Sequence, residues 1–118
     1  DPVYIGIQTS PFIDIGYLQK VTLVEKLGSY AVEVQFDETG IRRMESFTTT
    51  HRGKRLAIFA NFMFEDTEQA RWLGAPVIQQ TIKDGILTFT PDASRAETES
   101  LIKGLNNAIE EIKKPYVF

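Results

Sequence analysis

In the stretch HRGKRLAIFANF, residues 51–62, four charged or titratable side chains directly precede an unbroken apolar run. Residues 56–60 are apolar at every position, so a strand through them would be hydrophobic on both faces. Strands of this kind lie in a sheet interior, with other elements covering each side. The pattern predicts a central strand over residues 54–62 and indicates that the basic side chains before it stay in water.

Upstream, the stretch YAVEVQF, residues 30–36, alternates between two sets of side chains, one of them largely apolar. A period of two predicts a strand with one buried and one solvated face. A further run over residues 17–26, joined to it by a tight turn at residues 28–29, completes a predicted β-hairpin. An earlier alternation over residues 3–7 predicts a first strand that ends near Pro11.

A first helix is predicted over about residues 38–50, because apolar side chains recur there at helical spacing. Asp37 or Thr39 is suited to cap its start. The β-branched residues 48–50 are weak helix formers, so the helix is expected to fray there and to stop by Gly53.

The second half of the chain predicts a further helix and three shorter elements. Residues 94–97 match a capping box that opens a last helix, which Pro115 ends. The acidic segment MFEDTEQARWLGAP, residues 63–76, has helical character and predicts a short helix. PVIQQTI, residues 76–82, and ILTFT, residues 86–90, predict two strands joined by an Asp-Gly turn.

In chain order, these elements read β-β-β-α-β-(short α)-β-β-α. Short turns between successive strands favour antiparallel pairing. The sequence therefore predicts an α+β fold: a mostly antiparallel β-sheet with two main helices packed on one face. We expect residues 1–118 to form a single domain, because this length suits one hydrophobic core.

Composition excludes several classes of function. A net charge of −3 offers no broad basic surface, which argues against nucleic acid as a partner. The chain has no cysteine, so thiol catalysis and cysteine-based metal sites are excluded. The apolar runs are too short to insert into a membrane. The chain starts at Asp1 rather than Met, which we interpret as a trimmed or processed fragment.

Residues arranged for catalysis are not apparent. His51 is the single histidine, and no nucleophile or metal-binding motif accompanies it. We expect it to be solvated at the end of a helix, where its cationic form suits the helix dipole. Glu65, Asp66 and Glu68 lack the spacing of a calcium loop. The sequence predicts no catalytic residue, no metal and no cofactor.

Two binding surfaces are candidates. An aromatic and methionine patch follows the central strand and predicts contact with a protein or an extended polypeptide; its members are Phe62, Met63, Phe64, Trp72 and Leu73. The alternative is a small anion or ligand site built from guanidinium groups; its members are Arg42, Arg43, Arg52 and Arg55. The apolar patch is also a candidate homodimer surface, which would make the chain a structural module.

GKRLAIF, residues 53–59, is followed by APVIQQTIKDGILTF, residues 75–89. The stretch over residues 12–51 lies upstream, and the closing helix SRAETESLIKGLNNAI, residues 94–109, lies downstream. This ordered set resembles the head subdomain of the first large periplasmic domain of SecD and SecDF, the protein-export accessory proteins. A departure is NFMFEDTEQARWL, residues 61–73, where the family has a short hairpin turn.

The resemblance implies the fold, a role without catalysis in contacting polypeptide, and a location outside the cytoplasm. It points to a stand-alone exported bacterial protein in the periplasm or at the cell surface, or to a lipoprotein that is lipid-anchored through a segment not present here. The base subdomain and membrane helices of the family have no counterpart in this sequence, so translocation activity is not implied.

Overall fold

The computed structural model describes residues 3–6 and 13–113. The end predicted for the first strand near Pro11, and the role predicted for Pro115, lie outside the described residues. The elements are β1 (Val3–Gly6), β2 (Ile13–Asp14), a 3-10 turn (Ile15–Tyr17), β3 (Leu18–Lys26), β4 (Ser29–Phe36), α1 (Glu38–Thr50), β5 (Ala57–Phe64), β6 (Thr67–Gly74), β7 (Ile86–Phe89) and α2 (Arg95–Lys113).

The described strands form two antiparallel sheets, which confirms the predicted α+β class. One sheet has the strand order β2-β1-β5-β6 and the other has the order β3-β4-β7. Strand β5 lies inside the first sheet, between β1 and β6, as its apolar sequence predicts. Helix α2 packs against β3 of one sheet and β5 of the other, so it helps to join the two sheets around a common core.

The predicted β3–β4 hairpin is confirmed with its turn moved by one residue. Leu27 and Gly28 form the turn, with φ of +48° and +80°, and Ser29 already pairs with Lys26. Two successive left-handed residues match the twist of the flanking strands. The inward alternation of β4 is also confirmed, because its apolar set is buried at Val32, Val34 and Phe36.

The expectation that both faces of β5 are covered is wrong. Ile58, Ala60 and Phe62 point into the core, whereas Phe59 on the other face is only partly buried and Met63 is exposed. The apolar sequence therefore correctly predicts that β5 lies between two other strands. It does not predict that other elements cover both faces of the sheet.

The short helix predicted within residues 63–76 is wrong: this segment continues β5 and returns as β6. Glu65 and Asp66 adopt φ of +50° and +61°, and Phe64 pairs with Thr67 across this two-residue turn. Such a turn suits the strand twist, and pairing with β5 supplies the main-chain partners that a short helix would otherwise supply itself. Tertiary pairing therefore overrides the helical composition.

Of the two strands predicted after Gly74, only the second forms as β7. The PVIQQTI segment is instead held beside residues 53–56. Its Ile78 N–H donates to the Lys54 carbonyl, and the Leu56 N–H donates to the Pro76 carbonyl, each at 2.8 Å. A single β-bridge joins Arg55 and Val77. Main-chain hydrogen bonds therefore hold this irregular segment, although it forms a strand of neither sheet.

The threonines at the end of α1 do not fray the helix before Thr50. Thr48 is completely buried, and its hydroxyl donates to the Met44 carbonyl at 2.6 Å. The same oxygen accepts the Ile82 N–H at 2.9 Å. Thr48 is therefore a fixed contact between the helix and the segment before β7, which offsets its weak helix propensity.

The carboxylate of Asp37 links the start of α1 to the end of α2. One oxygen accepts the Gly40 N–H at 2.8 Å, and the other lies 2.8 Å from the Lys113 ammonium. Burial alone would raise the pKa of Asp37. That pKa is nevertheless below its ordinary value. The carboxylate accepts a hydrogen bond from the positively charged Lys113 and further hydrogen bonds from the N–H groups of Gly40 and Thr39.

We expect Asp37→Asn to lower the free energy of unfolding at neutral pH by about 1 kcal/mol. The substitution removes the negative charge that interacts with the N-terminus of α1 and with the Lys113 ammonium. The folded pKa of Asp37 is depressed, so its contribution is full above the ordinary carboxyl range and is lost as pH falls through the folded pKa. Urea denaturation across this acid range should show a shallower pH dependence for the variant. Asp92→Asn, at an exposed carboxylate, is the control; an equal change in both variants would contradict the prediction.

Candidate functional site

The outward side of the β5–β6 hairpin presents a continuous row of cross-strand pairs. Phe59 is paired with Trp72, and their rings meet edge to face with centroids 5.2 Å apart. Trp72 is 60% exposed and Met63 is 57% exposed. We name this surface the hairpin face; its members are Phe59, Asn61, Met63, Glu68, Ala70 and Trp72.

The five residues predicted to contact a partner divide between surface and core. Met63 and Trp72 are exposed on the hairpin face. Phe62 and Leu73 are buried on the inner side, and Phe64 is partly buried against the core. Their distribution follows the alternation of the two strands, since neighbours along a strand point to opposite faces.

The sequence analysis missed Phe59, which belongs to the hairpin face. Phe59 precedes Met63 by four residues, so both project to the same side of β5. That signal becomes usable only once residues 63–74 are known to form a hairpin, because a helix there removes Trp72 from its cross-strand position.

The hairpin is anchored from its inner side to the start of α2. Arg71 lies over the Phe62 ring, with 5.8 Å between the guanidinium carbon and the ring centroid, and pairs with the Glu97 carboxylate at 2.8 Å. Glu97 also accepts the Ser94 N–H, and Ser94 accepts the Glu97 N–H, which confirms the predicted capping box. The pKa of Glu97 lies below its ordinary value, mainly because the carboxylate accepts the Ser94 N–H and secondly because it pairs with Arg71. The hairpin face is therefore held on a fixed base.

His51 lies at the C-terminal end of α1, the position predicted for it. Its ring stacks on Phe47, with centroids 4.1 Å apart, and its Nδ1 lies 2.9 Å from the Phe47 carbonyl oxygen. Thr50 Oγ1 is also 2.9 Å from this nitrogen. These contacts are local to one helix end. In the described part of the chain, no group of three acidic or histidine side chains is arranged to hold a metal ion.

The four arginines of the anion alternative lie at different places. Arg42 and Arg43 line one depression along α1, and Arg43 also lies over the Tyr17 ring at 4.7 Å. Arg55 donates to the Ala75 carbonyl at 2.9 Å, and Arg52 is exposed in the connection after α1. The depression contains neither Arg52 nor Arg55, so an anion site using all four stays a prediction.

Among the helices of the described residues, none combines the length and apolar character needed to span a membrane.

Comparison with known proteins identifies the architecture. The profile of the SecDF P1 head subdomain matches residues 17–108. One similar solved structure is that of SecDF, a membrane component that enhances protein export; it has a TM-score of 0.67 and 26% sequence identity. A second, of SecDF in a super-membrane-facing form, has the same TM-score and identity. Comparison with curated protein sequences gives no match.

The extent of these matches defines what is shared. Each structural match covers 82% of this chain but only 41% and 12% of the two SecDF chains. This chain therefore spans less than half the length of either. Strands β1 and β2 precede the residues matched by the profile, whereas the hairpin face lies within them. The chain belongs to the SecDF P1 head subdomain family.

Proposed function

We propose that this chain is an exported, periplasmic module that binds polypeptide without catalysis, and that the hairpin face is its contact surface. The observation that carries the proposal is the exposure of both Trp72 and Met63 on one face of a hairpin whose inner side is anchored to α2. Membership of a family whose solved relative enhances protein export supports a polypeptide as the partner.

The chemistry of the hairpin face suits partners of varied sequence. Trp72 offers a large rigid ring, and Met63 offers a flexible, polarizable chain that adapts to different apolar side chains. Glu65, Asp66 and Glu68 lie at the exposed end of the same hairpin. We therefore expect a preference for apolar segments that also carry basic residues, because the acidic end attracts positive charge.

The first test removes the apolar surface and leaves the anchor in place. We expect the double variant Met63→Ser, Trp72→Ser to weaken binding of a denatured, reduced and alkylated polypeptide about 30-fold, as loss of a central aromatic contact does. Fluorescence anisotropy of the labelled polypeptide measures this change. In the unmodified protein, the emission of Trp72, the single tryptophan, should shift on binding.

Ile112→Ser is the matched control, because Ile112 is also exposed and apolar but lies on α2 away from the hairpin face. It should bind like the unmodified protein. Equal affinity for all three proteins would remove the hairpin face from the proposal. If the face is instead a homodimer surface, light scattering will show a mass that depends on protein concentration and that falls in the double variant.

A further inference from the structure

The depression along α1 is a groove of about 500 Å³ between two rows of side chains, and its lining includes no residue of the hairpin face. We name it the α1 groove; its members are Thr39, Arg43 and Phe47 in one row and Arg42, Ser46 and Thr50 in the other. Residues four apart along a helix lie on the same face, so each row forms a ridge. All members belong to one helix, which fixes the positions of their main chains relative to one another.

The two guanidinium groups of the α1 groove lack a carboxylate partner. In the part of the chain that the structure describes, neither Arg42 nor Arg43 forms an ion pair. Glu38 and Glu45, the acidic residues of α1, do not line the groove. A guanidinium without a carboxylate keeps both its charge and its N–H donors available to an anion from solution.

Both arginines are also placed so that their donors stay accessible. The guanidinium carbon of Arg43 lies 4.7 Å from the Tyr17 ring centroid. Contact with a ring uses the flat face of the guanidinium and leaves the N–H groups in its plane free to donate. Arg42 makes a single long hydrogen bond within the described residues, 3.4 Å from Nη2 to the Thr39 hydroxyl. An anion can therefore bind without breaking a strong contact.

Ser46 adds a neutral donor on the same ridge as Arg42. Its side chain is exposed, and its hydroxyl forms no hydrogen bond among residues 3–6 and 13–113. The Thr50 hydroxyl, in contrast, is already engaged at the end of the helix with the Phe47 carbonyl and His51. The α1 groove thus offers two guanidinium groups and one free hydroxyl, from side chains on both of its ridges.

A phosphate group matches these donors better than a carboxylate does. A phosphate monoester carries three strong acceptor oxygens and a charge of about −1.5 to −2 at pH 7. Its oxygens are arranged tetrahedrally, so donors that approach from two ridges can each meet one of them. A carboxylate has two oxygens in one plane and suits a single bidentate arginine.

We propose that the α1 groove binds a phosphate group, with Arg42 and Arg43 as charged donors and Ser46 as a neutral donor. This site goes beyond the proposed function, because it takes a small anionic group rather than a polypeptide. It also differs from the anion site predicted from the sequence: Arg52 and Arg55 lie outside the groove, whereas Ser46 belongs to it. A soluble phosphate ester and a phospholipid headgroup share this chemistry, so the experiments include both.

The first experiment titrates the ¹⁵N-labelled chain with inorganic phosphate at constant ionic strength, with chloride as the reference anion. The Nε–H signals of Arg42 and Arg43 should shift and saturate. We expect the double variant Arg42→Gln, Arg43→Gln to bind about tenfold or more weakly, as loss of hydrogen bonds to a charged group does. Glutamine is a good helix former, so α1 should persist, and circular dichroism checks this.

Arg52→Gln is the matched control, because Arg52 is exposed just after α1 and outside the groove. It should bind phosphate normally. Ser46→Ala should bind about threefold more weakly, since it removes one neutral donor. Shifts that grow without saturation, or an equal loss in Arg52→Gln and in the double arginine variant, would overturn the site and leave only general attraction of anions to surface charge.

Vesicles distinguish the two sources of phosphate. The chain is sedimented with vesicles of phosphatidylcholine alone and with vesicles that also contain phosphatidylglycerol. Sedimentation with the anionic vesicles that is lost in the double arginine variant identifies a lipid headgroup, whereas binding of inorganic phosphate without sedimentation identifies a soluble ester. If neither inorganic phosphate nor anionic vesicles bind, the proposal fails.

The same variants separate this site from the hairpin face. Met63→Ser, Trp72→Ser should bind phosphate normally, because neither residue lines the α1 groove. The double arginine variant should bind denatured polypeptide like the unmodified protein. Loss of phosphate binding in Met63→Ser, Trp72→Ser would overturn the assignment of the anion to α1.

Discussion

Replacing Gly85 with alanine should lower the free energy of unfolding by about 2–5 kcal/mol, the sum of a left-handed backbone cost and an overpacking cost. Gly85 has a φ of +72°, and a Cβ built there would lie 2.3 Å from Ile41 Cγ1. Its carbonyl accepts the Phe36 N–H at 2.9 Å, which ties the turn to the end of β4. Relief of the clash therefore requires a different Ile41 rotamer, or movement of α1 or of the turn before β7.

Gly53→Ala is the matched control for this prediction. Gly53 has a similar φ of +85°, but an added Cβ meets nothing within 4 Å. It should show only the backbone cost of about 1–2 kcal/mol. Urea denaturation of both variants at one pH gives the difference. Equal losses would mean that the close approach of Ile41 does not constrain the turn.

The second large effect is expected from Leu101→Ala, which should lower the free energy of unfolding by about 2–5 kcal/mol. Leu101 is buried on α2, where the helix meets both sheets. It lines a small internal cavity of about 20 Å³ together with residues of β3, β4, β5, β6, β7 and α2: Leu18, Val32, Val34, Ile58, Ala60, Leu73, Phe89 and Leu105. Removing its side chain enlarges an existing void in a region that both sheets brace, so collapse around it is restricted.

Ile112→Ala on the same helix is the control, because Ile112 is half exposed. Its effect should stay within about 0.5 kcal/mol, as for most surface changes. Chemical denaturation with a shared m-value compares the two variants. A loss below about 1 kcal/mol for Leu101→Ala would show that α2 is not the element that holds the two sheets together.

Local chemistry explains the parts of the fold that were predictable. The alternation in β4, the capping aspartate of α1 and the Ser94–Glu97 box of α2 each act within a few residues along the chain. Such rules survive because no distant contact opposes them. Along α2, Leu101, Leu105 and Ile109 are buried, whereas Ile112 is half exposed.

The candidate site was predictable only in its composition. Trp72 and Met63 were identified as contact residues, but Phe59 was missed and Phe62 and Leu73 are buried in the core. Whether the hairpin face binds a partner stays a prediction, as does the single domain over residues 1–118.

The sequence by itself determined that β4 alternates between two faces and where both main helices begin. The tertiary structure alone decided that residues 63–74 form a hairpin and that the described strands divide into two sheets. The physical reason is that a strand takes its main-chain partners from other segments of the chain, whereas a helix satisfies most of its own.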